Sequence, residues 1–235
     1  MIMQPPLIGI LAGMGPRSTA PFVDLVIDEC QRQYGAHDDE DFPPMMIYAL
    51  PAPFYLDRPL DYNALRKAIG AGLRRLASTG VAFVAMPCNT AHIFYNDLAA
   101  TIEVPLLNIV DEALRAVPAG VSRVALLATR PTVEAGIYQA ALARAGLELA
   151  STNDQQGQVN RLLAAIKSSV DRRAAEEMWR ALLTELAAGG VDTALLACTD
   201  LNAVSAATPS GIALLDATQC LAAATVREWR ARAGR

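Results

Sequence analysis

Residues 80–92 read GVAFVAMPCNTAH, and residues 190–200 read GVDTALLACTD. In both stretches a glycine is followed by a short apolar run, and then by a cysteine with polar neighbours. Continuous apolar runs of this length are typical of strands that are buried on both faces of a parallel sheet. The two stretches therefore predict an α/β fold in which each cysteine stands at the end of a buried strand.

The two stretches belong to a weak internal repeat. Each copy contains a helix pattern, a turn glycine, a strand and a cysteine at the same spacing. The repeat predicts two similar α/β lobes. Six positions carry it: Leu73, Leu76, Ala77, Gly80, Val81 and Cys88 recur as Leu183, Leu186, Ala187, Gly190, Val191 and Cys198.

Strand and helix patterns alternate along the chain, which favours a doubly wound architecture with parallel sheets. The lobe boundary is predicted near residues 116–122, where a proline and a glycine interrupt the helix pattern. Residues 1–117 and 212–235 are assigned to the first lobe, and 118–211 to the second. The predicted strands are 7–12, 45–50, 81–86, 105–108, 123–128, 146–150, 192–197 and 212–215. The predicted helices are 17–34, 60–79, 90–101, 110–117, 132–145, 156–168, 171–189 and 216–231.

The composition narrows the class of protein. Hydrophobic residues make up 53% and charged residues 19%, which is enough to bury a sizeable core and argues against disorder. The net charge of −4 does not favour a nucleic-acid surface. No apolar run reaches about 18 residues and the N-terminal segment lacks a basic leader, so we expect a cytoplasmic protein with no membrane span.

The cysteines are expected to be free thiols. The 4 cysteines form no C-x-x-C pair, and the 2 histidines that accompany them show no ligand spacing. Neither disulfides nor a zinc site is therefore expected. Cys30 and Cys220 lie within apolar helix patterns and are predicted to belong to the core.

Polar turns are predicted at the carboxyl ends of four strands, where ligands bind in open α/β sheets. Each turn precedes a helix pattern, and free N–H groups at helix starts favour anions such as carboxylates. The turn after the first strand, AGMGPRST, lacks the third glycine of a dinucleotide fingerprint and the lysine of a P-loop. A tight structural turn and a ligand-binding turn both remain open for it. The four turns are residues 12–19, 87–92, 127–132 and 198–200.

Cys88 and Cys198 each follow a buried strand and open a helix pattern, a setting that favours an accessible thiolate. A lone cysteine is commonly an inert core residue, but two at equivalent positions point to paired chemistry. His92 either tunes the Cys88 thiol, binds substrate or packs in the core. Asp200 either caps a helix or contacts an ammonium group or the Cys198 thiol.

Four motifs, in order along nearly the whole chain, resemble those of the aspartate/glutamate racemase family, in its cofactor-independent branch. The resemblance implies two Rossmann-like lobes related by a pseudo-twofold axis, an active site in the cleft between them, and a homodimer. The motifs are IGILAGMGPRST at 8–19, MPCNTAH at 86–92, LLATRPTVEAGIY at 126–138 and ACTDL at 197–201.

The resemblance also implies a role for each residue of these motifs. Cys88 and Cys198 match the acid/base pair on opposite faces of the substrate α-carbon, and His92 and Thr132 are auxiliary. Arg58 matches an arginine that takes the side-chain carboxylate, and Asp200 stands where the family usually has glutamate. The residues expected to contact substrate are Met14, Arg58, Asn89, Thr90, Thr129, Lys167, Thr199 and Asp200.

The implied activity is racemisation of a small acidic amino acid, aspartate or glutamate, without pyridoxal phosphate, another cofactor or a metal. In the second cysteine motif, Cys198 and Thr199 are not followed by histidine. This difference separates the chain from the glutamate racemases of cell-wall synthesis. The alternatives are a maleate isomerase, an arylmalonate decarboxylase, a hydantoin racemase, or a carboxylate-binding module without catalysis.

Overall fold

The computed structural model describes residues 5–55, 59–151, 154–168, 172–205 and 211–234. The chain divides into two compact units, one of Met1–Glu112 with Thr218–Arg235 and one of Ala113–Ala217. Each unit is built on a parallel sheet with helices, as the alternation of patterns predicted.

The first unit contains a three-stranded sheet in the order β2-β1-β3, and all its strands are parallel. Its core is formed by apolar side chains of the strands and of the second helix, and residues such as Leu11, Ile69 and Val84 are fully buried there. The elements are β1 (Ile8–Ala12), α1 (Thr19–Tyr34), β2 (Met45–Ala49), α2 (Tyr62–Ala77), β3 (Phe83–Ala85) and α3 (Tyr95–Ala99). Helix α4 (Ile109–Arg115) begins in this unit and ends in the second.

The second unit contains a four-stranded parallel sheet in the order β5-β4-β6-β7. Trp179, Leu183 and Leu127 are fully buried in its core. The elements are β4 (Arg123–Ala128), α5 (Arg130–Glu134), α6 (Ile137–Arg144), β5 (Glu148–Ala150), α7 (Gln155–Ser168), α8 (Arg172–Ala188), β6 (Thr193–Ala197) and β7 (Ala213–Asp216). The last helix, α9 (Ala217–Ala233), follows β7 directly.

The two sheets have the same strand order, with β2, β1 and β3 corresponding to β5, β4 and β6. In the place of β7, the first unit has a single parallel bridge between Val84 and Leu106. The predicted strand 105–108 is therefore wrong in extent. Pro105 has no N–H to donate to a ladder, and α4 begins as early as Ile109.

The turn before β3 in the first repeat copy and the turn before β6 in the second are formed in the same way. Gly80 and Gly190 both have positive φ, +82° and +73°, which glycine adopts without steric cost. Their N–H groups donate to Ala77 O and Ala187 O, at 3.2 and 3.0 Å. The internal repeat read from the sequence thus corresponds to a repeated helix, turn, strand and cysteine.

Helix α9 packs into the first unit. Trp229 is buried and its Nε1 donates to Pro6 O at 3.0 Å, while Gln33 Nε2 on α1 donates to Ala223 O at 2.9 Å. The preceding strand does not return with it, because β7 pairs with β6 in the second sheet. The sequence prediction had instead assigned everything from residue 212 onward to the first lobe.

Two predicted helices are divided. The pattern over 132–145 forms α5 and α6, which are separated at Gly136, a glycine with φ +70°. The pattern over 90–101 forms a 3-10 turn, Thr90–Phe94, followed by α3. Among the described helices, none combines the length and the apolar composition needed to cross a lipid bilayer.

Candidate active site

In the first unit, two polar turns follow neighbouring parallel strands and so lie at the same edge of the sheet. One follows β1 and contains Met14, and the other follows β3 and contains Cys88. Between β1 and α1 the chain forms a 3-10 turn, Pro16–Ser18, in which Ser18 Oγ donates to Gly15 O at 2.7 Å. Both turns occupy the carboxyl ends of their strands, where ligands bind in open α/β sheets.

The main chain of Cys88 is held on both sides. Its N–H donates to Met86 O at 2.8 Å, and its carbonyl oxygen lies 2.8 Å from His92 Nδ1. The residue itself is partly buried, whereas Asn89 and Thr90 directly after it are buried, at 3% and 5% exposure. The thiol of Cys88 thus sits on a firmly anchored turn at the border between core and solvent.

The imidazole of His92 contacts the main chain of Cys88. Its side chain is 3% exposed, and its two ring nitrogens contact main-chain atoms of Cys88, Leu107 and Ile109. Desolvation by burial lowers the pKa of His92, and the hydrogen bonds to backbone carbonyls and the charge of Asp111 oppose this only in part. Of the three roles left open by the sequence, these contacts favour a packed and hydrogen-bonded core residue.

In the second unit, the turn after β4 contains the two threonines of the mid-chain motif. Thr129 and Thr132 are buried, at 7% and 0% exposure, and their hydroxyl oxygens lie 2.9 Å apart. Sequence analysis did not single out Gln155 and Gln156 at the start of α7. Their Nε2 atoms donate to Leu126 O and Ala128 O at the end of β4, at 2.8 and 3.2 Å. Two adjacent polar residues at a helix start are the only signal of this contact in the sequence.

Cys198 directly follows β6 and lies beside an ion pair. The residue is 7% exposed, and its Sγ lies 4.0 Å from Asp200 Oδ2. The same oxygen lies 3.2 Å from Lys167 Nζ on α7. Thr199 begins the 3-10 turn Thr199–Ala203 that follows the cysteine. Asp200 is therefore engaged with a thiol and an ammonium group, which is one of the two roles that the sequence left open.

The described residues of the predicted site form two groups, one in each unit. Met14, Cys88, Asn89, Thr90 and His92 belong to the turns of the first sheet. Arg58 lies outside the described residues. The second group, in the turns and on α7 of the second unit, comprises Thr129, Thr132, Lys167, Cys198, Thr199 and Asp200.

The other two cysteines are remote from these turns along the chain. Cys30 on α1 is fully buried, as predicted, and burial raises the pKa of its thiol, although a hydrogen bond with Tyr34 acts in the opposite direction. Cys220 on α9 is only partly buried. Within the described ranges, no group of three histidine, cysteine or acidic residues is arranged to hold a metal ion.

Comparison with known proteins identifies the family. A sequence model of the Asp/Glu/Hydantoin racemase family matches residues 11–225. The chain belongs to this racemase family. The four motifs predicted it, and the expectation of an isomerase of the amino-acid racemase type is confirmed at the level of the family.

Individual proteins are similar to this chain over most of their length. The broad specificity amino-acid racemase RacX of Bacillus subtilis (strain 168) is 44% identical over 225 residues, covering 96% of this chain and 99% of that protein. The aspartate racemase of Picrophilus torridus has a TM-score of 0.79 at 27% identity, covering 95% and 94% of the two chains. A glutamate racemase of Francisella tularensis, at 13% identity and a TM-score of 0.65, covers 96% of this chain and 81% of its own, and shares the fold.

Proposed function

We propose that this protein interconverts the L and D forms of an acidic amino acid, aspartate first and glutamate second, without pyridoxal phosphate. Cys88 and Cys198 act as the paired acid and base. The observation that carries the proposal is the equivalence of the two cysteines. Each follows the corresponding strand, β3 or β6, of two units with the same strand order.

The chemistry requires two groups because the α-proton of an amino acid is a very weak acid. The thiolate of one cysteine takes the α-proton, and the electron pair of the C–H bond is left on the α-carbon and its carboxylate. The thiol of the other cysteine gives its proton to the opposite face, so that configuration is inverted and the second cysteine becomes the thiolate. The two cysteines exchange roles when the other enantiomer binds.

The polar groups of the four turns stabilise the charge that develops on the carboxylate. Backbone N–H groups at helix starts and the side chains of Asn89, Thr90 and Thr199 hold the α-carboxylate in this proposal. Met14 and Thr129 line the site, with Thr132 supporting Thr129 through their hydroxyl contact. The remaining contacts are to the substrate side chain, from Arg58, and from Lys167 with its partner Asp200.

We also propose that the protein is a cytoplasmic homodimer, as the resemblance to cofactor-independent aspartate racemases implies. Sedimentation velocity of the purified protein over a range of concentrations tests the assembly. A single species with the mass of one chain would contradict it.

The test of the proposed activity is α-proton exchange in D₂O, followed by proton NMR and chiral chromatography of L- and D-aspartate and glutamate. The wild-type protein is expected to racemise with no added cofactor and in the presence of a chelator. Cys88→Ala and Cys198→Ala are each expected to abolish racemisation, a loss of at least about 10²–10⁴-fold, the usual contribution of a positioned acid or base.

Cys88→Ala and Cys198→Ala also distinguish the two faces of the substrate α-carbon. Each keeps one thiol, so any residual exchange is expected for one enantiomer only, with retention of configuration, and for opposite enantiomers in the two variants. Cys220→Ala, which removes a thiol outside both turns, is the control and should turn over normally. Racemisation by either active-cysteine variant at near-normal rates would overturn the two-base scheme.

A further inference from the structure

His92 contacts two segments of the first unit that are separated along the chain. It lies in the 3-10 turn after Cys88, and its ring reaches the start of α4. Nδ1 lies 2.8 Å from Cys88 O, and Nε2 lies 3.2 Å from Ile109 N and 3.3 Å from Leu107 O. The residue is 3% exposed, and besides these main-chain atoms the carboxylate of Asp111 acts on its ring through its charge.

These contacts determine which ring nitrogen carries the hydrogen. A carbonyl oxygen only accepts, so the 2.8 Å contact with Cys88 O requires a hydrogen on Nδ1. The Ile109 N–H only donates, so Nε2 must offer a lone pair. The other neutral tautomer would satisfy Leu107 O alone and would place two acceptors against each other at Cys88. The charge of Asp111 favours the doubly protonated ring, but burial outweighs it and lowers the pKa of His92 overall.

The neighbouring aromatic residue reinforces the same connection. Tyr95 stacks on the His92 ring, with centroids 5.8 Å apart and planes 8° from parallel. Its hydroxyl donates to Leu106 O at 2.8 Å. Leu106 is the residue that forms the single bridge to Val84 on β3. Two side chains that follow Cys88 thus bind the segment that flanks its strand.

We propose that His92 is a positioning residue, which as the neutral Nδ1-protonated imidazole holds the Cys88 main chain in place and takes no part in proton transfer. Its only ring proton is donated to Cys88 O and its lone pair accepts from Ile109 N–H, so neither is available to substrate. The consequence for activity rests on the proposed role of Cys88 as an acid/base group.

Conservative variants of His92 separate positioning from packing. In His92→Asn, the side-chain amide Nδ2 stands where Nδ1 stands and can donate to Cys88 O. In His92→Gln, the amide extends to the place of Nε2 and can accept from Ile109 N–H, but it leaves Cys88 O. We expect kcat per folded molecule to fall by about 10- to 100-fold in His92→Gln, the scale of an ångström-sized misplacement of a catalytic group, and far less in His92→Asn.

Further measurements on the His92 variants distinguish a positioning effect from a general loss of structure. KM should change little in both variants, and the pH profile of kcat/KM in His92→Asn should keep both wild-type limbs. Thermal unfolding of each variant gives the folded fraction by which kcat is corrected. Loss of a limb in His92→Asn, or equal kcat in His92→Asn and His92→Gln, would overturn the proposal.

A spectroscopic readout does not depend on activity. The chain has 2 histidines, so ¹⁵N NMR of the labelled protein, with His37→Gln for assignment, resolves the ring nitrogens of His92. We expect a neutral ring with its hydrogen on Nδ1 near pH 7. An imidazolium, or a hydrogen on Nε2, would overturn the proposal. A wild-type protein that racemises no amino acid would instead overturn the proposed function and leave this measurement valid.

Discussion

Gly13 allows the sharpest test of how the glycine turn is built. The residue follows β1 with φ +89°. A Cβ placed on it would lie 2.5 Å from Leu50 N, 2.7 Å from Leu50 O and 2.8 Å from Ala49 C. All three are main-chain atoms, and Leu50 N is already bonded to Ala12 O at 2.9 Å. Gly13→Ala must therefore shift the end of β2, since no flexible side chain is available to give way.

The expected loss has two parts. A side chain at this φ costs about 1–2 kcal/mol by the steric penalty of the left-handed region, and overpacking against fixed neighbours adds about 1–3 kcal/mol. Gly13→Ala should therefore lower the free energy of unfolding by about 2–5 kcal/mol. Gly80→Ala is the matched control, because φ is +82° and no atom outside its chain neighbours lies within 4 Å of the added Cβ. It should cost only the first part.

The assay is urea unfolding of both variants and the wild type, with circular dichroism as the probe and the slope of the transition checked for constancy. Since Gly13 precedes Met14, turnover of the folded Gly13→Ala variant should also fall, whereas Gly80→Ala should retain it. Equal destabilisation by the two substitutions would refute the steric reasoning, because it would leave φ as the only cost.

Two further predictions concern charged groups. Burial raises the pKa of the Glu29 carboxyl, but hydrogen bonds from Arg32 and Gln33 and the charge of Arg32 outweigh it, so the pKa is lowered overall. A lowered folded-state pKa contributes stability that is present above the unfolded pKa of about 4.3 and is lost as the pH falls through the folded value. In Glu29→Gln, the free energy of unfolding should therefore depend less on pH in this acid range. A pH dependence equal to that of the wild type would contradict this account. In the second unit, Asp200→Asn removes the carboxylate that pairs with Lys167, so the ratio of kcat/KM for aspartate over alanine should rise by about two- to five-fold, the size of a partly exposed ion pair. Lys167→Met should lower that ratio, and a ratio that both variants leave unchanged would exclude Lys167 from side-chain recognition.

The sequence predicted the parts of the fold that local patterns determine. Both copies of the repeat could be predicted, because turn glycines and buried strands have local sequence patterns. In the structure, Gly80 and Gly190 have positive φ and a cysteine follows each strand. Strand pairing could not be predicted from local sequence. The strand at 212–215 carries an apolar pattern that fits either sheet, and only its long-range ladder with β6 assigns it to the second unit.

In the candidate site, too, local motifs were predicted whereas contacts between distant residues were not. The motifs located Cys88 and Cys198, but the roles of His92 and Asp200 depend on partners that are distant in sequence. Ile109 accounts for the tautomer of His92, and Lys167 accounts for the charge beside Asp200. No spacing rule in the sequence encodes either contact, since each forms only when a helix packs against a turn.

The return of α9 to the first unit has a consequence for synthesis on the ribosome. The second unit is one continuous stretch, Ala113–Ala217, and its whole sequence has been translated before α9 is complete. The first unit begins earlier but lacks Trp229 and the bond from Gln33 to Ala223 until α9 emerges. The first unit therefore cannot complete its native contacts until the whole of the second unit has been translated, so the second unit is free to fold first.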